Sequence, residues 1–169
     1  MFHKLKTARL YAEPITGNHF AELRLLHSNK EVMKYIGGLR SEERTHQSIK
    51  FHHSHWQMHG YGLWMFYTHK LNQFVGGAGV RIKNIEGVDE IVVGYILSQN
   101  FWGQGFATEM AEAVIAHFRT KIIHNVRSII GFTDVKNEVS KRVMEKAGFV
   151  FEKIFTYENE PHSLYRLTL

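Results

Sequence analysis

Two glycines, Gly103 and Gly105, lie two residues apart in NFWGQGFATEM (residues 100–110), where an apolar strand pattern gives way to an amphipathic helical one. Glycine at such a seam marks a backbone that bends sharply or lets another group come close. The first N–H groups of a helix lack internal acceptors, and the aligned peptide dipoles add partial positive charge there. The backbone of Trp102, Gly103, Gln104, Gly105, Phe106, Ala107 and Thr108 could therefore wrap an anion, a phosphate above all. The same spacing also serves a plain tight strand-to-helix connection. GxxxxGK[ST] is absent, which argues against a P-loop, and Thr108 stands where a dinucleotide fingerprint needs its last glycine. A different pyrophosphate is what this loop would suit.

Histidines raise a second chemistry. His55 and His59 in FHHSHWQMH (51–59) have the i, i+4 spacing of helical metal ligands. HExxH is absent and no thiolate can assist, so no metal is expected. A histidine of this segment beside an acceptor groove could instead act as a base near neutral pH.

The elements that must position these residues can be read coarsely. ARLYAE (8–13) alternates as a strand, residues 17–35 read as helix broken near Ser28–Asn29, and Ser41 caps a helix that runs to about His59. Strands at 63–68, 74–82 and 90–97 fit an antiparallel meander. Ala107, Ala111, Val114, Ile115 and Phe118 then form one apolar helical stripe. A strand at 127–133, a short helix opened by Asn137 and two final strands complete a mixed α/β order of seven strands with helices on both faces.

The 169 residues read as a single domain, 1–169, with 44% hydrophobic and 22% charged residues, which fits a globular chain with a proper core. The start, MFHKLKTARLY, is followed by no long apolar run, so a cleavable leader is not expected. IVVGYIL is too short to span a bilayer, so no membrane partner is expected. Cysteine is absent, which excludes disulfides and a cysteine nucleophile and suits a cytoplasmic location. The formal charge of +5 favours anionic partners, but no dense Lys/Arg run points to nucleic acid.

Two blocks carry a specific resemblance. GYILSQNFWGQGFATEMAEAVIAHF resembles the acyl-CoA loop of GNAT-superfamily N-acetyltransferases, in particular the branch of ribosomal-protein N-terminal acetyltransferases. TDVKNEVSKRVMEKAGFVFE (133–152) is similar to that branch's N-x-x-S segment. The resemblance implies a mostly antiparallel twisted sheet, splayed between two central parallel strands, with acetyl-CoA in the wedge and no metal. Backbone groups near Ile96 and Leu97 would pair with pantetheine, amides from Trp102 to Thr108 would hold the pyrophosphate, and Asn137 would reach the pantetheine arm. Trp102 stands in the family's Gln/Arg place, as a lid on the core or a stacking surface.

Acetyl transfer to an amine needs a deprotonated nucleophile, a stabilised oxyanion and a proton for the thiolate. The resemblance gives the last role to Ser140; other branches use a tyrosine at the position held here by Met144. The usual strand glutamate is replaced by Val92, and Glu90, two residues earlier on the same face, is the substitute base. Glu158 and Glu160 could orient an amine, or ordered water could take the proton. The expected acceptor is a peptide or protein α-amine. A small-molecule amine acceptor, or a non-catalytic acyl-CoA sensor, is the alternative, and self-association into a homodimer stays open.

Overall fold

The computed structural model describes residues 4–121 and 126–169, so the first three residues of MFHKLKTARLY lie outside the described residues. Eight strands form one sheet: β1 (Leu5–Lys6), β2 (Leu10–Pro14), β3 (Leu63–Thr68), β4 (Phe74–Ile85), β5 (Val88–Leu97), β6 (Ser128–Asp134), β7 (Val150–Tyr157) and β8 (Glu160–Thr168), in the order β1-β2-β3-β4-β5-β6-β8-β7. Seven were expected. The two-residue β1 pairs with β2 but is too short to show alternation in sequence. The β4–β5 hairpin is also longer than expected, because Glu86 (φ 50°) and Gly87 (φ 85°) turn it in two residues.

Alternation on the strands feeds two cores. Trp64 and Phe66 of β3 face α4 (Phe106–Lys121), whose Met110, Val114 and Phe118 share their cluster. Met65 and Tyr67 point the other way, toward α1 (Phe20–His27), α2 (Lys30–Met33) and α3 (Glu42–His59). The helix break read near Ser28–Asn29 is real, and Asn29 caps α2 through the amides of Glu31 and Val32. Ser41 Oγ accepts from the Arg44 amide at the start of α3, and Gly60, at φ 71°, ends it. Among the described residues, no helix is long and apolar enough to cross a membrane.

The sheet parts where the resemblance implied. All pairs are antiparallel except β5–β6, which is in register only at Val92↔Ile130. The β4–β5 ladder continues to Gly76↔Leu97, so β5 stays with β4 while β6 diverges. The short α5 (Glu138–Lys146) seats on β6 at Gly131, where a Cβ would come within 2.7 Å of Met144 Sδ.

Candidate active site

The splay opens into a cleft of about 1110 Å³ that runs from the glycine loop, past the strand glycines Gly77, Gly79 and Gly94, to the face covered by α1–α3. Peptide groups alternate in direction along a strand. The Ser98 amide donates to Val75 O at 2.9 Å, and the Ile96 carbonyl lies against Gly76, so the even-numbered residues of β5 bond to β4. Tyr95 and Leu97 therefore turn their N–H and C=O groups to the open side, whereas the Val93 N–H is used in the parallel bridge that pairs Val92 with Ile130. This corrects the expectation for Ile96, whose backbone is already used within the sheet.

The glycine loop has the form an anion cradle needs. Gly103 (φ 72°) and Gly105 (φ 79°) both occupy the left-handed region, and a Cβ at Gly103 would meet nothing within 4 Å. The Glu109 amide donates to Gly105 O, which makes Gly105 the last residue before α4 and leaves the Phe106, Ala107 and Thr108 amides at the free end of the helix. Gln104 is not in the cleft wall: its side chain donates to Asn100 O and its carbonyl accepts from Arg9. The Trp102 indole donates to Leu97 O at 3.2 Å while 44% of the residue stays exposed, so it closes the strand end as a lid. A clamp invisible in the sequence holds the loop from behind. Glu109 accepts from the Thr7 hydroxyl, the Arg9 amide and the Arg9 guanidinium, and that guanidinium lies 4.0 Å from the Phe106 ring centroid.

The opposite wall brings Asn137 and Ser140 together with a residue not anticipated. Asn137 Oδ1 accepts from the Ser140 amide as the α5 cap, and its Nδ2 donates to Thr133 Oγ1, so both ends of the amide hold the wall in shape. Ser140 Oγ is 2.8 Å from the Tyr95 hydroxyl, and that hydroxyl donates to Ser140 O at 3.0 Å. Burial pushes the Tyr95 phenol up to about 12, against the opposing effect of the Ser140 hydrogen bond, so it keeps its proton at neutral pH. Met144 offers no phenol, and the phenol beside Ser140 is that of Tyr95 on strand β5. Its place two residues after Val93 put it on the α5 side, but the partner lies 45 positions away in sequence.

Glu90 is not in the cleft wall. It forms a bidentate pair with Arg166 (2.9 and 3.2 Å), which also binds Glu152, because β5 at that point pairs with Lys83 and faces the β8 side of the sheet. Glu158 does line the cleft, and Glu160 does not. Both nitrogens of His55 are used: Nδ1 is 2.9 Å from Tyr61 O, and Nε2 accepts from the Ile82 amide at 3.4 Å. Among the described residues no group of three or more metal-ligating side chains assembles. His52 lines the cleft instead. Burial, then Arg81, His55, Arg40 and His27, lower it to about 3, so it is a neutral imidazole.

Beyond the splay the wall is cationic. Arg40, Arg44, Arg81 and Lys83 line it, facing Glu158. Arg40 Nη1 lies 3.3 Å from His27 Nε2. Thr45 Oγ1 donates to Ser41 O, so His27 Nδ1, 2.9 Å away, donates to that hydroxyl and leaves Nε2 as the acceptor for Arg40. Burial first, then Arg40, Arg24 and Arg44, lower His27 to about 4 and keep this neutral tautomer.

A splayed sheet and a glycine loop with free amides at a helix start are the features an acyl-CoA-dependent transferase needs, and the positive φ of Gly103 and Gly105 keeps that loop clear of side chains. The sequence profile of the Acetyltransferase (GNAT) domain matches residues 9–150. The chain belongs to that family, the acetyl-CoA-dependent N-acetyltransferases. It is 28% identical over 142 residues to the uncharacterized protein YkkB of Bacillus subtilis, covering 83% of this chain and 81% of that protein. Its fold is similar to an acetyltransferase from Agrobacterium tumefaciens (TM-score 0.85, 20% identity, 99% and 95% of the two chains). It is also similar to RimL, a ribosomal L7/L12 alpha-N-protein acetyltransferase solved in complex with coenzyme A (TM-score 0.80, 19% identity, 99% and 98%).

Proposed function

We propose that the protein acetylates the α-amine of a peptide or amino acid by direct attack in a ternary complex, in the cytoplasm, with Ser140 as proton donor. The observation that carries the reading is the Tyr95–Ser140 hydroxyl pair at the edge of the open wedge. Acetyl-CoA, when bound, supplies a thioester whose carbonyl carbon forms the new C–N bond as its C–S bond breaks. The amides of Gly103 to Thr108 hold its pyrophosphate, and the open-side peptide groups of Tyr95 and Leu97 hold its pantetheine arm. The backbone N–H of Tyr95 stabilises the developing oxyanion. Ser140 Oγ gives its proton to the sulfur, and the Tyr95 phenol holds that hydroxyl in place. Glu158 orients the amine and water removes its proton. An α-amine, with pKa near 8, is partly neutral at pH 7, whereas amines near 10 need a stronger base than the cleft offers.

A cleft with cations on its acceptor side also disfavours a polyamine. The test is thiol release from acetyl-CoA over a panel of free α-amine peptides, amino acids, spermidine and N-terminally blocked lysine peptides. Turnover confined to spermidine or blocked lysine peptides overturns the α-amine assignment and leaves family membership intact.

A further inference from the structure

The acceptor half of the cleft carries more positive charge than the protein itself neutralises. Arg81 and Lys83 project from β4, Arg40 comes from the segment before α3, and Arg44 stands in the first turn of α3. None of the four lies within ion-pair distance of a carboxylate among the described residues, whereas Arg9, Lys141, Lys153 and Arg166 all do. Their recorded partners are neutral. Arg81 stacks near the Phe51 ring (5.9 Å to the centroid), Lys83 donates to the Tyr157 hydroxyl, and Arg40 reaches the His27 imidazole. They also repel one another: burial lowers Arg40 and Arg81, and Arg44 and Arg81 lower Arg40 further. Glu158 offsets only part of this. Holding several half-buried cations together without counter-ions is unfavourable unless an anion completes the site.

The pyrophosphate is not that anion. Arg81 pairs with Val92, and Lys83 with Glu90, beyond the splay. Val92 is five residues from Leu97 at the loop end of β5, roughly 16 Å at strand rise. Gly94 leaves the floor between the two regions bare, because a Cβ there would meet nothing within 4 Å, whereas Gly77 and Gly79 lie against Gly62 and Leu63. One molecule can therefore lay its amine at the wedge and its other groups against the four cations.

We infer that the acceptor is an anionic α-amine, one that carries a further carboxylate or phosphate near the amine, held by Arg40, Arg44, Arg81 and Lys83. The inference rests on the α-amine reading above and narrows it. Arginine forks match planar carboxylate and tetrahedral phosphate oxygens in pairs, which suits three of the four positions.

The test uses matched pairs with free α-amines: L-aspartate against L-asparagine, O-phospho-L-serine against L-serine, and the peptide Asp-Asp-Ala against Asn-Asn-Ala. Equilibrium binding is measured by calorimetry, and kcat/KM by thiol release, each at low and high salt. The acidic member of at least one pair is expected to be preferred tenfold or more in both readouts, with the preference shrinking in high salt. Preference within the phosphoserine pair assigns phosphate; preference within the aspartate or peptide pair assigns carboxylate. Arg44→Gln, at an exposed helix turn, and Arg81→Gln should each reduce the acidic ligand's affinity about tenfold and change its neutral partner less than twofold. Equal use of both members of every pair overturns this inference alone. Absence of binding by all acidic members, or variants that weaken both members alike, also overturns it. Turnover of spermidine with no α-amine turned over removes the parent reading as well.

Discussion

Two positions in the wedge make claims that a single side chain can test. Ser140→Ala removes a proton donor needed chiefly as the C–S bond breaks, so kcat should fall about 100-fold while acetyl-CoA affinity changes little. Tyr95→Phe keeps the ring that packs beside α5 and removes only the hydroxyl 2.8 Å from Ser140 Oγ. It should lower kcat by less than Ser140→Ala, and the double variant should fall no further than Ser140→Ala alone if the two act as a unit. Steady-state kinetics with calorimetric Kd values checks both. Unchanged turnover in Ser140→Ala returns the serine to a structural role. Gly94→Leu is the complementary change: its side chain enters open space in the cleft floor, so Tm should hold within a degree or two while kcat/KM for the acceptor collapses.

At the scale of elements, the glycine loop works because three segments agree on its shape. Gly103 and Gly105 supply left-handed turns, α4 supplies its free amides, and Thr7 and Arg9 fix Glu109 one turn into the helix. A ligand that binds only the native state adds RT ln(1 + [L]/Kd), about 2.7 kcal/mol at a hundredfold excess. Acetyl-CoA should therefore raise Tm measurably. Gly105→Val, a β-branched residue at φ 79°, should abolish most of that shift. Glu109→Ala leaves the loop sequence intact but frees its back. It should destabilise the fold by about 1–2 kcal/mol, discounted for the half-exposed Arg9, and weaken acetyl-CoA binding. Thermal shift with and without acetyl-CoA separates the two effects: both variants should lower the ligand-free Tm, Gly105→Val through its strained backbone, but only Gly105→Val should lose most of the acetyl-CoA-induced rise.

For the whole molecule, the buried histidines set an acid limit. His27, lowered to about 4, binds fewer protons in the native state than in the unfolded chain, where its pKa is near 6.5. Its contribution is complete above about pH 6.5 and is lost as pH falls toward 4, at about 1.4 kcal/mol per pH unit within that window. Denaturant melts between pH 7 and 4.5 should show this slope, and His27→Asn should flatten it. A histidine slope unchanged in that variant would assign the loss to His52, which is lowered in the same direction. Chelation bears on the molecule as a whole too. With both His55 nitrogens engaged by backbone groups, EDTA should leave acetyl transfer unaffected, and restoration of a chelated enzyme by zinc would refute that expectation.

Local chemistry made much of this protein legible in its sequence. Gly103 and Gly105 announce left-handed backbone before a helix, Ser41 and Gly60 bracket α3, and period-two runs mark β3 to β6, because capping, turn and alternation rules act over a few residues. The two motif blocks carried the family. What the sequence could not decide depends on residues far apart along the chain. Glu90 shares the face of Val92, yet two residues farther from the splay it meets Arg166, 76 residues on, and is held there as an ion pair. Ile96 lost its expected role because ladder direction, set by the register with β4, decides which peptide groups face the wedge. The Tyr95–Ser140 pair, the Arg9–Glu109 clamp and the cationic wall of Arg40, Arg44, Arg81 and Lys83 each require elements to meet in space. Electrostatics and hydrogen bonding act across distance in three dimensions, and only the folded chain fixes those distances.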